Sequence, residues 1–264
     1  VIYGIVGLKT HAKALMVIRR EKKEIVKYIH LATGNYNETT ARLYTDLSFF
    51  TCDKQIGDDI STLFNLLTGF SLPVGWSSVT IAPLELRKKF MLLIEREIEN
   101  AKRGLKARIV AKMNALYDKE VVKALYRASQ AGVKIDLIVR GICILRPGMK
   151  KISQNIKVKS IIGRYLEHAR IYYFYNGGAE EYYLSSADWM TRNLDRRVEL
   201  LFPIKNPDTK KFIQKILKLQ LEDTVNSTIL QATGVYKSII KKAKEDKDYF
   251  QSVYLAIKKH EKKD

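Results

Sequence analysis

A strand–helix–strand unit in the middle of the sequence most constrains the fold of this chain. Residues 106–113 and 133–139 are two short, largely apolar runs typical of buried strands, and an amphipathic segment over 118–131 joins them. Two strands joined by a crossover helix run parallel, and a parallel sheet is covered by helices. The sequence therefore predicts an α/β architecture.

The remaining segments extend this pattern. Further strands are predicted within 4–18, 24–31, 158–161, 168–174, 181–185 and 198–204, with an exposed turn over 21–23. Helices are predicted over 56–67, from Pro83 to about Gly104 and over 208–221, followed by a lysine-rich helical tail. The segment 69–78 combines glycine, proline and serine and is the best linker candidate. The chain is therefore predicted to divide into a first domain, 1–78, and a second domain, 79–264.

Composition limits the class of protein and its partners. Apolar residues make up 46% of the 264 residues, which excludes intrinsic disorder, and 47 basic against 28 acidic residues leave a net charge of +19. Such an excess of cations favours a polyanionic partner: nucleic acid, anionic lipid or a phosphate polymer. The two cysteines, Cys52 and Cys143, are not spaced as metal ligands, and their low number fits a reducing compartment. The chain starts at Val1 without a leader, and we expect it to be a piece of a longer protein.

Two similar triplets provide the first functional signal. The triplet His11–Lys13 reads His-Ala-Lys and is followed by Asn37, 26 residues after its histidine; His168–Arg170 reads His-Ala-Arg and is followed by Asn193 after 25 residues. Both triplets are predicted to lie in strands, where residues i and i+2 share a face, so each histidine would lie beside its own cation. Two such halves could face each other across one cleft.

This combination suits phosphoryl transfer. A neutral imidazole is a good nucleophile near pH 7 and can attack phosphorus to form a phosphoramidate. The neighbouring cation would bind phosphate oxygens, and a second histidine could supply a proton to the leaving oxygen. The alternative is that His11 and His168 are hydrogen-bonded structural residues.

Two further residues are candidates for nucleotide binding. Arg140 follows the predicted strand 133–139, at the edge of an α/β sheet where ligands gather, although it could be an ordinary surface arginine. Tyr44 could stack on a base, although an aromatic residue in this pattern is more often part of the core. The sequence contains no Gly-x-x-x-x-Gly-Lys-Ser/Thr loop, which excludes a P-loop kinase.

Several ordered segments resemble the carboxyl-terminal half of bacterial polyphosphate kinase of the first type. These segments are Gly7–Lys13, Thr33–Asn37, Thr39–Asp46, Val139–Cys143, Leu145–Gly148, Gly163–His168, Ser185–Met190 and Arg196–Glu199. Together they extend over about residues 1–222. The resemblance implies two phospholipase D-like α/β domains, each a mixed sheet flanked by helices, facing each other across an active-site cleft or tunnel.

The resemblance also assigns roles to individual residues. His11 would be the nucleophile that becomes phosphohistidine, and His168 the second active-site histidine, which binds ATP phosphate and assists transfer. Tyr44 would stack on adenine, and Arg140 would bind ATP phosphates. The family binds magnesium through arginine-rich sites upstream, so no metal ligands are expected among residues 1–264.

Two cationic residues of this sequence fit the histidine motifs of the family, and two other residues differ from the general phospholipase D pattern. Lys13 and Arg170 match the cation positions of the two motifs and would bind phosphate. The general phospholipase D pattern is His-x-Lys-x-x-x-x-Asp, but here Ile18 and Tyr175 occupy the aspartate positions. This departure weakens a lipase or nuclease interpretation and agrees with a kinase.

The function that the resemblance implies is reversible transfer of the ATP γ-phosphate to inorganic polyphosphate through phosphohistidine. It implies ATP or ADP and polyphosphate as partners and Mg²⁺ as cofactor. It also implies that the complete protein forms homo-oligomers and is cytoplasmic, and it allows peripheral association with the inner membrane. The isolated chain is expected to be inactive. One alternative is a phospholipase D-like phosphodiesterase acting on lipid or nucleic acid. The other is a non-enzymatic basic nucleic-acid-binding module, which the lack of aromatic residues among the basic runs disfavours.

Overall fold

The computed structural model describes residues 1–69, 75–239 and 248–249. The first of these ranges forms β1 (Lys9–Thr10), β2 (Ala14–Glu21), β3 (Glu24–Ala32), α1 (Glu38–Ala41), β4 (Tyr44–Thr45), β5 (Ser48–Thr51) and α2 (Lys54–Gly69). The second begins with β6 (Thr80–Ala82), α3 (Leu86–Lys102), β7 (Arg108–Met113), β8 (Leu116–Tyr117), α4 (Lys119–Gln130), β9 (Lys134–Val139) and β10 (Ile156–Ile161). It continues with β11 (Leu166–Glu167), β12 (Arg170–Phe174), β13 (Glu181–Ser185), β14 (Trp189–Met190), α5 (Thr191–Arg196), β15 (Arg197–Ile204), α6 (Pro207–Glu222), β16 (Ser227–Leu230) and β17 (Tyr236–Ser238). Within these ranges no helix is both long and apolar enough to cross a bilayer.

A ten-stranded mixed sheet forms the centre of the molecule. Its order is β1-β15-β13-β12-β7-β9-β10-β16-β17, and β6 pairs with β15. Strands β7 and β9 run parallel in the register Arg108↔Lys134 to Met113↔Val139, so the predicted strand–helix–strand unit is confirmed. Strand β12 pairs with β7 and β13 in antiparallel fashion, and β13 pairs with β15 in the same way. The predicted α/β class is therefore confirmed, with both strand directions in one sheet.

The first segment of the chain builds a smaller sheet of its own. Strands β2, β3 and β5 form a three-stranded antiparallel sheet. The turn predicted over 21–23 is confirmed, since residues 22–23 form the turn between β2 and β3 and Lys22 has φ 53. Two short pairings then attach this segment to the second: β1 runs parallel to β15, and β4 runs parallel to β11.

The large sheet separates two apolar cores because alternate residues of its strands point to opposite faces. On β7, Ile109 packs into the core beneath α3 and α4, whereas its neighbour Val110 packs into the core beneath α2, β3 and α6. On β12, Tyr172 belongs to the first core and Ile171 to the second. The first segment thus covers one face of the large sheet and brings its own residues to the ends of the sheet's strands.

Two predicted local features are wrong. Pro83 does not open the long helix, because residues 80–82 pair with β15 and the chain must turn before α3 begins at Leu86. The two histidine triplets also do not lie inside strands. His11 follows β1, and His168 immediately precedes Ala169 and β12.

Of the tail residues that the structure describes, 223–239 are not helical, and only Tyr249 is assigned to a helix. Residues 227–230 and 236–238 are strands, because the free edge of β10 pairs with β16, and β16 in turn pairs with β17. The rest of the predicted helical tail and residues 70–74 of the predicted linker lie outside the described residues. The domain division at 78/79 stays a prediction.

Candidate active site

His11 is positioned by the pairing of β1 with β15. The register places Thr10 opposite Val198, and the backbone N–H groups of His11 and Ala12 both donate to the Val198 carbonyl, each at 2.9 Å. The imidazole therefore lies beside the next residue of β15, Glu199, with His11 Nδ1 2.9 Å from Glu199 Oε2. An ionised carboxylate only accepts hydrogen bonds, so Nδ1 carries the hydrogen. The other nitrogen, Nε2, then has its lone pair available to attack an electrophile.

Glu199 is fully buried and is held from two sides. The Ser186 hydroxyl donates to Oε2 at 2.5 Å, and Arg197 NH1 lies 3.8 Å from Oε1. These two contacts hold the carboxylate in place beside His11.

Lys13 lies close to residues that contact each of the two histidines. It is 5% exposed, and its ammonium donates to the backbone carbonyl of His11. Burial lowers the pKa of Lys13 to about 7; Glu199 and Asp46 oppose this effect, and Arg170 adds to it. The pKa of Lys13 therefore depends on Glu199, which contacts His11, and on Arg170, which contacts His168.

His168 has a carboxylate partner like that of His11. Its Nδ1 lies 2.9 and 3.0 Å from the two oxygens of Asp46, and Arg170 NH1 donates to its Nε2 at 2.9 Å. Burial lowers the pKa of His168, although Asp46 opposes the shift. The imidazole is therefore neutral at pH 7, and both its nitrogens are engaged. The ring of Tyr44 packs against it, with the two centroids 4.9 Å apart.

The partner of His168 is placed by the pairing of β4 with β11. The N–H groups of His168 and Ala169 donate to the carbonyl of Thr45, next to Asp46. Thr33 Oγ1 also donates to Asp46 Oδ1 at 2.8 Å. At Gly34, a Cβ atom would lie 2.1 Å from Asp46 Oδ2, so only glycine leaves room for this carboxylate.

A hydrogen-bonded network connects Arg140 to His168. Arg170 donates to both oxygens of Asp188, at 3.1 and 3.2 Å, and Asn114 donates to Asp188 through its backbone N–H at 2.7 Å. Burial alone would raise the pKa of Asp188, but Arg170 and Asn114 hold that pKa below its ordinary value. Arg140, at the end of β9 as predicted, donates to Asn114 Oδ1 at 3.1 and 2.8 Å.

The turn after β13 links the two halves. Ser186 donates to Glu199, the partner of His11, and Asp188 accepts from Arg170, the partner of His168. The structure therefore brings all six predicted residues into one connected set of contacts: His11, Lys13, Tyr44, Arg140, His168 and Arg170.

Sequence reasoning missed the acidic and amide partners of these residues. Glu199 has the clearest sequence signal, because it is the single carboxylate in a strand whose other residues after Arg197 are all apolar. Asp46 and Asp188 lie within segments that resemble the known family, but no hydropathy pattern distinguishes either of them as a site residue.

The two asparagines of the internal echo serve different purposes. Asn37 is exposed and caps α1 by accepting from Thr40 N at 2.9 Å. Asn193 is buried and accepts from the backbone N–H of Asp188 at 3.1 Å. The similarity between the two motifs therefore extends in the structure to the histidines and their cations, but not to the asparagines.

A cavity of about 200 Å³ opens beside Tyr44 and Asp46. Gly34, Tyr36 and His30 also line it, and the His30 ring lies 4.4 Å from that of Phe50 in centroid distance. Its size and its aromatic wall suit part of a planar ligand. Within the described part of the chain, no group of three or more His, Cys, Asp and Glu side chains is arranged to hold a metal ion.

Two family descriptions together match most of the chain. Residues 1–73 match "Polyphosphate kinase C-terminal domain 1", and residues 79–251 match "Polyphosphate kinase C-terminal domain 2". The polyphosphate kinase of Synechocystis sp. is 50% identical over 256 residues, which are 97% of this chain and 35% of that protein. The chain thus spans about a third of the length of the curated relatives that it matches.

Solved structures agree with this assignment. The crystal structure of polyphosphate kinase from Porphyromonas gingivalis superimposes with a TM-score of 0.92 at 40% identity, over 98% of this chain and 40% of that one. Phosphatidylserine synthase from Haemophilus influenzae, at 10% identity, shares the fold alone, with a TM-score of 0.53 over 88% of this chain and 68% of that one. The chain belongs to the polyphosphate kinase family, and it contains the two C-terminal domains of that family.

Proposed function

We propose that this chain forms the catalytic part of a polyphosphate kinase that reversibly transfers the γ-phosphoryl group of ATP to the end of inorganic polyphosphate, through a phosphohistidine at His11. The observation that carries the proposal is the contact of His11 Nδ1 with the buried carboxylate of Glu199, which makes Nε2 the nucleophilic nitrogen. The chain spans 35% of the Synechocystis relative, so the proposal concerns a polypeptide that also supplies the remainder.

In the first half-reaction, His11 Nε2 attacks the γ-phosphorus of ATP. The bond from that phosphorus to the β–γ bridging oxygen breaks, and its electron pair leaves with ADP. The hydrogen on Nδ1 stays in place, where Glu199 stabilises the positive charge that forms on the ring. The product is a phosphoryl group bound to Nε2.

In the second half-reaction, a terminal oxygen of polyphosphate attacks the same phosphorus. The N–P bond breaks, its electron pair returns to Nε2 of His11, and the polymer is one unit longer. The attacking oxygen is already anionic, so this step requires no proton transfer. Run backwards, the same two steps make ATP from ADP.

The surrounding cations would bind the phosphates. The guanidinium groups of Arg140 and Arg170 supply two cations, and Lys13 is charged in the presence of an anion, because a nearby negative charge favours its protonated form. The same effect would protonate His168, which would then donate to a phosphate oxygen in place of accepting from Arg170. These groups would offset the negative charge of the transition state.

Tyr44 would stack on adenine at the cavity that it lines. The hydroxyl is not needed for stacking, since the ring face makes the contact. The ring also packs against His168, so a base bound here would lie next to the phosphate site.

Magnesium does not fit a site made by the described residues. The carboxylates at the site are each bonded to a basic side chain: Glu199 to His11, and Asp46 to His168. The proposed steps are therefore carried by the side chains of this chain, and Mg²⁺ binding upstream stays a prediction. Homo-oligomerisation, a cytoplasmic location and peripheral association with the inner membrane stay predictions as well.

The test uses a chimera of the Synechocystis enzyme in which residues 1–264 replace the matching segment. After incubation with γ-labelled ATP, the protein should carry an acid-labile, base-stable phosphate. His11→Ala should abolish both labelling and polymer synthesis, whereas His168→Ala should abolish turnover and retain slow labelling. Robust synthesis by the His11 variant would refute the mechanism. A labelled lipid or nucleic acid product would favour a phosphodiesterase.

A further inference from the structure

A buried lysine contacts both chain neighbours of His168. Lys112, on β7, is 1% exposed. Its Nζ donates to the carbonyl of Ala169 at 2.9 Å and lies 3.2 Å from Oε2 of Glu167. The ammonium group therefore joins the residue before His168 to the residue after it.

A charge at this depth is costly. Burial lowers the pKa of Lys112, and Glu167 opposes that shift. Replacing a buried ion pair by apolar side chains of similar size is often neutral or stabilising, so stability alone gives little reason for this pair.

We propose that Lys112 is a positioning residue, which fixes the backbone on both sides of His168 and so holds its imidazole against Asp46 and Arg170. This inference rests on the proposed function for its catalytic consequence.

Two neighbouring contacts support the same role. Asn114, two residues after Lys112, donates to the carbonyl of His168 at 3.1 Å, so side chains from this end of β7 bind two successive carbonyls. Gln220, on α6, donates to Glu167 Oε2 at 2.7 Å and fixes that carboxylate from the other side. The backbone at 167–169 is thus held from both β7 and α6. The bond from His168 Nδ1 to Asp46 joins residues 122 positions apart, and it depends on where this backbone lies.

The chain offers a matched control for the loss of a buried ammonium. Lys159, on β10, is 7% exposed and donates to backbone carbonyls of Gln220, Leu221 and Asp223. Lys159→Met removes a similar group that does not contact residues 167–169 and that meets Gln220 only at its backbone carbonyl. The test variant is Lys112→Met. The double variant Lys112→Met/Glu167→Gln leaves no unpaired carboxylate and keeps an acceptor for Gln220, so it tests the proposal if the single variant does not fold.

The first measurement is independent of activity. Nitrogen-15 NMR of the imidazoles in the 264-residue chain reports which ring nitrogen carries hydrogen, and His11 serves as an internal reference. In the Lys112 variants, we expect the His168 signals to change from one tautomer to an average of both. The His11 signals should stay unchanged, and Lys159→Met should leave both histidines as they are.

The second measurement separates the half-reactions in the chimera. Because a displacement of 1 Å can cost about 100-fold in rate, we expect Lys112→Met to lower kcat by about 100-fold while labelling of His11 persists. Unchanged His168 signals and kcat in a folded Lys112 variant would overturn the inference, as would equal losses in Lys159→Met. If the unaltered chimera shows no labelling, the proposed function fails, and the NMR result still decides whether Lys112 positions His168.

Discussion

The Nδ1 atom of His11 lies 2.9 Å from Oε2 of Glu199, although 188 positions separate the two residues in the sequence. The contact exists because two-residue β1 pairs in parallel with β15 and places His11 beside a carboxylate inside the large sheet. In the proposed reaction, that carboxylate decides which imidazole nitrogen is the nucleophile.

Glu199→Gln should slow phosphorylation of His11 by roughly 10³- to 10⁴-fold. The amide keeps the shape of the side chain but can donate to Nδ1, which stabilises the tautomer with hydrogen on Nε2 and removes the nucleophile. The rate of label incorporation from γ-labelled ATP measures the effect. Glu95→Gln, at an exposed carboxylate paired with Arg127, is the control. An unchanged labelling rate in Glu199→Gln would show that Glu199 does not set the tautomer.

Polyphosphate affinity should depend on pH through Lys13. The pKa of Lys13 is lowered to about 7 by burial, so its ammonium is present below that pH and is lost as pH rises above it. Since an anion binds the charged form, the contribution of Lys13 to affinity should be fully present below pH 7 and be lost above it, by about tenfold in total for one charged hydrogen bond. Binding measured at constant ionic strength between pH 6 and 9 checks this.

The matched variants for that measurement are Lys13→Arg and Lys27→Arg. The guanidinium stays charged throughout the range, so Lys13→Arg should flatten the profile. Lys27 is partly exposed and pairs with Asp58 on α2, so its replacement should leave the profile unchanged. A steep profile that survives Lys13→Arg would assign the titration to another group.

Tyr44→Ala should raise the apparent Michaelis constant for ATP by the equivalent of roughly 1–3 kcal/mol, the range for a base stacked on an aromatic ring. Tyr44→Phe keeps the ring and should be mild. Tyr117→Ala removes an exposed tyrosine from β8 and serves as the control. An equal loss of thermal stability with unchanged ATP dependence would identify Tyr44 as a core residue.

Gly34→Ala should damage the site through Asp46. The added Cβ would lie 2.1 Å from Asp46 Oδ2, so the carboxylate must move and His168 loses its partner. We expect a destabilisation of about 1–3 kcal/mol by overpacking, together with lower turnover. Gly75→Ala is the control, because its Cβ would meet no atom within 4 Å. Denaturant unfolding and initial rates report the two effects, and equal behaviour of the two variants would contradict this account.

Residues 1–264 alone should bind polyphosphate but make little of it. The net charge of +19 gives electrostatic affinity, which should fall steeply with salt. Synthesis should require the remainder of the enzyme, since the chain covers 35% of the Synechocystis relative and the resemblance assigns magnesium binding to upstream arginines. Synthesis by the isolated chain at a rate close to that of the chimera would show this expectation to be wrong.

Local patterns were enough to predict most helices and strands. The runs that became β7, α4 and β9 have the periodicity of their elements, and a crossover helix between two strands allows only a parallel pair. The prediction that the long helix begins at Pro83 failed because proline suits both a first helical turn and a loop. The pairing of β6 with β15 decides for the loop. Residues 227–230 and 236–238 of the tail form strands because β10 has an edge with which β16 can pair, and no local pattern in the sequence shows this.

The sequence by itself determined the α/β class and the two histidine triplets, because residue type and spacing carry that information, and its resemblance to a known family implied the roles of the six candidate site residues. Only the tertiary structure decided which carboxylate faces each histidine. Asp46 is 122 positions from His168, and Lys112 is 57 positions from Ala169. Such contacts depend on the registers of β1 with β15, β4 with β11 and β7 with β12, and strand register is set by long-range packing of whole faces rather than by the residues near each histidine.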